Sequence, residues 1–153
     1  MLPFKKILCP TDFSKASYEA LKVAGELASH FKSQLCVVHV VSLTPMVTSP
    51  MLPTTFDVAA YQKELESAAA EQLKEVMEKY LPGDLKTCVP IVTSGYAPDE
   101  IIRIAGERNN DLLVISTRGL TGLKRVFLGS VAERVVRLAP CPVLSIGPGK
   151  AAL

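Results

Sequence analysis

The chain has 153 residues, 48% of them hydrophobic and 21% charged, which suits one buried core and leaves little room for a second domain. A formal net charge of +2 argues against nucleic acid or an anionic membrane as the main partner. The four cysteines (Cys9, Cys36, Cys88, Cys141) form no CxxC pair and lack a histidine cluster, so no metal set or disulfide framework is expected.

Strand and helix patterns alternate along the chain. Lys6 to Cys9 is a short apolar run stopped by Pro10, a first strand. Ser14 to Phe31 has helical spacing, with Ala20, Leu21, Ala24, Leu27, Ala28 and Phe31 on one face and Ser14 as N-cap. Gln34 to Val41 is a continuous β-branched run, as expected of a strand covered on both faces. Leu43 to Phe56 holds three prolines and several Ser/Thr, and reads as a mobile loop. Helical spacing returns from Asp57 to Tyr80 through Leu65, Ala69 and Val76, and Pro82-Gly83 ends it. Thr87 to Thr93 is a third strand. Pro98 fits the first turn of a third helix, with Ile101, Ile102 and Ala105 facing inward. Asp111 to Ser116 is a fourth strand, a glycine-bearing loop follows, and a helix runs from about Ser130 to Leu138. Pro142 to Ile146 is a fifth strand, and a short tail covers 147–153.

This alternation predicts an α/β fold: one domain over 1–153 with a five-stranded parallel sheet, helices on both faces and right-handed crossovers. The doubly wound order 3-2-1-4-5 suits five such strands. In that order the chain reverses direction between strands 1 and 4, and open α/β sheets bind ligands beyond the strand C-termini at this point. Pro10, Thr11 and Asp12 are therefore expected to meet the loop from Ser116 to Ser130.

That loop has the chemistry of an anion site. Gly129 and Ser130 precede the helical pattern Val131, Val135, Leu138, and a helix N-terminus offers unpaired N–H groups and a positive dipole end. Gly119 tolerates unusual backbone angles, and Arg118, Lys124 and Arg125 add positive charge. The same residues equally suit a structural role: Gly119 in a turn, Ser130 as a cap, and solvated basic side chains. Asp12 likewise suits both ligand contact and helix capping. His39 sits in an apolar run and reads as a satisfied buried histidine, while His30 near a helix C-terminus reads as a dipole partner. The cysteines read as small apolar residues; Cys9 is the one close to the expected cleft.

Four segments, KKILCPTDFS, the HV at 39–40, APDEIIRIAGERNNDLLVIST and LGSVAERVVRLAPCPVLSI, resemble the universal stress protein family over nearly the whole chain. The nucleotide-binding branch of that family carries G-2x-G-9x-G-(S/T) after the fourth strand. Here the pattern is Ser116-2x-Gly119-9x-Gly129-Ser130, with serine in place of the first glycine and Arg118 where many relatives have histidine. The resemblance implies a Rossmann-like adenine nucleotide alpha hydrolase-like fold and ATP as ligand, with Mg²⁺. It places Asp12 near the adenine and ribose, with Pro10 and Thr11 shaping that wall and Val40 packing on the adenine. Gly119, Gly129 and Ser130 would hold the phosphates, joined by the N–H groups of Val131 and Ala132. It further implies a stress-response regulator that homodimerises through 142–146. The alternative is a branch member that binds no nucleotide and works through protein contacts.

Other signatures are missing. There is no GxxxxGK[ST], no GxGxxG after the first strand, no GxSxG elbow and no HExxH. No nucleophile, base and orienting acid assemble into a triad, so catalysis beyond slow ATP hydrolysis is not expected. The start MLPFKKILCPTDFS lacks a signal-peptide pattern and no apolar run is long enough for a membrane span, so the expected setting is cytoplasmic, with free thiols.

Overall fold

The computed structural model describes residues 2–42, 57–83, 88–119 and 128–147. The expected 43–56 loop, Thr87, Lys124, Arg125 and the tail after Gly147 lie outside them. The elements in chain order are β1 (Lys6–Pro10), α1 (Lys15–Phe31), β2 (Gln34–Val41), α2 (Val58–Tyr80), β3 (Cys88–Ser94), α3 (Ala97–Glu107), β4 (Leu112–Ser116), α4 (Ser130–Leu138) and β5 (Val143–Ile146). All strand pairs are parallel, and the sheet order is β3-β2-β1-β4-β5, as the doubly wound reading requires.

Alternate residues of the central strands feed two separate cores. Ile7, Cys9, Leu35, Val37, Leu112 and Val114 pack under α1 and α2 with Leu21, Ala24 and Leu73. Leu8, Cys36, Val38, Leu113 and Ile115 pack under α3 and α4 with Ile101, Ile104, Ala132 and Val135. Burial on both faces is why these strands read as unbroken apolar runs.

Helix ends follow local chemistry. Ser14 caps α1, its hydroxyl accepting from Ser17 N–H at 3.2 Å. Lys32 ends that helix in the left-handed region at φ 58°, and His30 occupies its last turn. Asp57 caps α2, and its side chain accepts from Ala60 N–H at 3.0 Å.

The sequence reading needs small corrections. β1 runs on to Pro10 instead of stopping at Cys9. Cys9 and Thr11 direct their backbone bonds toward β2, so the Pro10 nitrogen faces the β4 side, where pairing has ended at Leu8↔Leu113. The missing N–H therefore costs no ladder bond. Asp111 precedes β4 because its carboxylate is occupied by the Lys5 and Lys6 N–H groups at 2.8 and 3.0 Å. In α3 the third inward residue is Ile104, since Ile102 is only half-buried.

Candidate functional site

Beyond Pro10 the chain leaves the sheet through a tightly bonded turn. Thr11 N–H still donates to Val38 C=O at 2.8 Å. The Thr11 hydroxyl meets Ser17 Oγ at 2.9 Å and accepts from Phe13 N–H at 3.1 Å. Asp12 Oδ1 accepts from Ser14 N–H at 3.0 Å, a local turn immediately before the α1 cap. Phe13 has φ 63°, and its ring stacks on His39 with centroids 4.2 Å apart. A bulky residue resists that backbone region, and several contacts hold it there.

His39 has a hydrogen-bond partner, as the sequence suggests, but is half-buried instead of buried. Its Nδ1 lies 2.9 Å from Thr11 C=O. Burial lowers its pKa from the usual value, partly opposed by the Thr11 carbonyl and the Asp12 charge. The neutral ring can bond that carbonyl only as a donor, so Nδ1 carries the proton.

At the other wall, Ser116 is the last residue of β4, in strand conformation, so a side chain there imposes no backbone strain. Its hydroxyl donates to Arg118 C=O at 2.7 Å. The departure from glycine at this position thus braces the start of the loop. Thr117 C=O accepts from Gly129 N–H at 2.7 Å, which clasps the two ends of the 118–128 segment together. Gly119 sits against Asp12: a Cβ added at Gly119 would lie 2.7 Å from Asp12 Oδ2. The loops after β1 and β4 are therefore in direct contact.

Gly129, not Ser130, is the N-cap of α4, and no side chain caps that helix. The first backbone bond closing onto it is Glu133 N–H to Gly129 C=O at 2.8 Å. The N–H groups of Ser130, Val131 and Ala132 thus have no intrahelical acceptor. Gly129 itself cannot offer its N–H to a ligand, because Thr117 takes it.

These walls enclose a cavity of about 260 Å³ at the C-terminal ends of β1, β2 and β4. Pro10, Thr11, Asp12, Val40, Ser116, Arg118, Gly119, Gly129, Ser130, Val131 and Ala132, the residues singled out from sequence, all line it. Ser17, Val38, Ala97, Ile101, Ile115 and Thr117 also line it and were not foreseen. Val38 was legible in principle, two residues before Val40 on one strand face. Ala97 and Ile101 come from the start of α3, outside the two loops that meet at the switch point.

The cavity is chemically mixed. Its lining combines the apolar side chains of Val38, Val40, Ile101 and Ile115 with the polar groups of Asp12, Ser116, Arg118, Ser130 and the α4 N-terminus. Cys9 is fully buried beside Pro10, and burial pushes its thiol far above the ordinary range, so it is not a nucleophile. Among the described residues no group of three or more His, Cys, Asp or Glu could hold a metal ion.

The model of the universal stress protein family matches residues 3–146. The chain belongs to the universal stress protein family. Universal stress protein MJ0531 of Methanocaldococcus jannaschii is 36% identical over 143 residues, covering 94% of this chain and 82% of the relative. The solved structure of MJ0577, from the same organism, superposes with a TM-score of 0.76 at 26% identity and covers 96% of this chain and 98% of that one. A universal stress protein from Archaeoglobus fulgidus, solved in complex with dAMP, shares the fold with a TM-score of 0.58 at 23% identity, covering 95% and 99% of the two chains. No helix among the described residues is long and apolar enough to cross a membrane.

Proposed function

We propose that this universal stress protein binds an adenine nucleotide, ATP in its working state, in the cavity at the switch point, and acts as a regulator in the cytoplasm. The observation that carries the reading is the joining, in one cavity, of an apolar slot and an uncapped helix N-terminus. A flat base needs the first, and a phosphate suits the second. Val38, Val40 and Ile101 take the base, and Asp12 accepts from the base or ribose. Ser130, Val131 and Ala132 donate to the phosphates, with Arg118 alongside. Gly119 and Gly129 keep the two loops close.

The cavity is a little smaller than common ligand pockets of about 300–1,000 Å³. It suits base, sugar and first phosphate, with further phosphates running outward past the α4 N-terminus. Mg²⁺ fits only as a companion of those phosphates. Asp12 is the one carboxylate among the described lining residues, and Mg²⁺ is commonly held by one or two carboxylates plus substrate phosphates. Asp12, whose Oδ1 already accepts from Ser14 N–H, is the one candidate base among the described lining residues, and His39 lies outside that lining, so turnover is slow at most.

Assembly follows from the two sheet edges. β3 carries Pro90, exposed in mid-strand, which blunts that edge. β5 has no such guard, and Leu144 on it is exposed at 38%, with Val136 and Leu138 of α4 exposed at 46% and 50%. A two-fold homodimer through 142–146 pairs this open edge and covers Leu144. Sedimentation equilibrium at micromolar concentration should give twice the mass of 16.5 kDa, falling to one chain in Leu144→Lys; a wild-type monomer contradicts it.

The site is tested by calorimetric titration with Mg-ATP of the wild type and of Val131→Pro. Proline is tolerated in a first helical turn, keeps a similar apolar volume and deletes one N–H. Losing one hydrogen bond to a charged group costs about 1.5–3 kcal/mol, so affinity should fall roughly ten- to a hundredfold. Unchanged ATP affinity in Val131→Pro removes the α4 N-terminus as the phosphate site. Absence of binding by the wild type removes the nucleotide reading and leaves a protein that works through contacts alone.

A further inference from the structure

Where the sheet stops pairing at the cavity decides which backbone donors the cavity receives. β1 and β2 pair in parallel through Pro10↔Val38, and Thr11 N–H continues the ladder to Val38 C=O at 2.8 Å. In a parallel ladder the next rung would be Val40 N–H to Thr11 C=O. Among the described residues no backbone bond closes that rung. The His39 imidazole meets the Thr11 carbonyl instead, with Nδ1 2.9 Å from the oxygen. Phe13, stacked on the ring at an interplanar angle of 24°, holds it in place.

We infer that His39 is a positioning residue. By capping the Thr11 carbonyl with its side chain it ends the β1–β2 ladder one rung early and turns the Val40 N–H over to the cavity as a directional donor for a ring nitrogen of a planar base. Val40 is half-buried, lines the cavity and lies beyond the last β1 pairing. Its N–H points in the sheet plane toward the space that β1 has vacated, whereas the N–H of His39 points toward β3. An unpaired donor at the wall of an apolar slot favours a ligand with an acceptor there and disfavours one without it. The phosphate side shares no atom with this device, since its donors come from α4 and Arg118.

This inference rests on the nucleotide reading for its ligand, but part of its test does not. Asparagine at 39 can place a side-chain N–H near the Nδ1 position, whereas leucine cannot. Amide hydrogen exchange on the nucleotide-free protein should show Val38 protected and Val40 exchanging fast in the wild type and in His39→Asn. In His39→Leu the Val40 N–H should close on Thr11 and become protected. Titrations should then show ATP affinity reduced about tenfold in His39→Leu, recovered to within a few-fold in His39→Asn, with affinity for inorganic triphosphate unchanged throughout. A Val40 amide already protected in the nucleotide-free wild type overturns the inference. So does a Val40 amide that stays unprotected in His39→Leu, or equal losses for ATP and triphosphate, which mean general damage. If the wild type binds no ATP, the nucleotide reading fails and the exchange data still decide the role of His39.

Discussion

Substituting Gly119 by alanine tests the contact that joins the two loops of the site. The new Cβ would lie 2.7 Å from Asp12 Oδ2, where ordinary contact begins at 3.4 Å, so the carboxylate must retreat by roughly 0.7 Å. It is not free to do so, because Oδ1 holds Ser14 N–H at 3.0 Å. Forcing the side chain off its rotamer costs about 0.5–1.5 kcal/mol. Gly119 is not in the left-handed region, so alanine also restricts the unfolded chain and returns about 0.4–1 kcal/mol. In the single variant these effects nearly cancel. A double-mutant cycle with Asp12→Ala separates them. Gly119→Ala should stabilise the Asp12→Ala background by about 0.4–1 kcal/mol and leave the wild type unchanged or weakened, a coupling of about 0.5–1.5 kcal/mol. The chain has no tryptophan, so urea unfolding is followed by far-ultraviolet circular dichroism. A change of 1 kcal/mol moves the melting temperature of a chain this size by about 2–4 °C. Additivity within about 0.3–0.5 kcal/mol would show that Asp12 and Gly119 do not press on each other in solution.

Other outcomes follow from single features. The His39 pKa in the folded protein lies below the unfolded value of 6.5, so the unfolded chain takes up the proton first. The contribution of His39 to stability is full above pH 6.5 and declines as the pH falls toward the folded pKa; stability measured from pH 8 to 5 should fall more steeply in the wild type than in His39→Asn, and parallel curves would refute this. Ser14→Ala deletes the α1 cap and should cost about 0.5–2 kcal/mol in the same urea assay. Leu113 is fully buried between the sheet and α3, and Leu113→Ala should cost about 2–5 kcal/mol. Burial pushes the Cys88 thiol up to about 11, and Cys9 and Cys36 are inaccessible. An Ellman titration of the native protein at pH 8 should therefore be slow for these three and complete only in denaturant; rapid reaction of Cys9 would contradict its burial.

Much of the fold was legible because doubly buried strands leave an unmistakable mark. Residues 35–38 are apolar without alternation, and Ile7-Leu8-Cys9 and Leu112 to Ile115 send successive side chains into opposite cores. The cavity was legible for a related reason. Once β1 and β4 are neighbours, Thr11, Asp12, Gly119 and Gly129 must converge, whatever their side chains do. Contacts decided by three-dimensional packing were not legible. The commitment of the Gly129 N–H to Thr117 moves phosphate donation onto Ser130, Val131 and Ala132, and no spacing rule reveals it. The Ser116 hydroxyl bond to Arg118 C=O turns an apparent defect in the glycine pattern into a brace. Ile101 and Ala97 enter the cavity because α3 crosses over β2, a matter of helix placement that periodicity alone leaves open. His39 looked like an ordinary core histidine, and its bond to Thr11 depends on the left-handed turn at Phe13.

The central claim is that this cavity holds an adenine nucleotide. The most direct measurement is to purify the protein without added nucleotide, denature it, and identify the released small molecules by mass spectrometry, followed by Mg-ATP titration of any empty fraction. An adenine nucleotide near one per chain, or stoichiometric uptake of ATP by the empty protein, is expected, with affinity roughly ten- to a hundredfold weaker in Val131→Pro. An empty protein that takes up no ATP would contradict it.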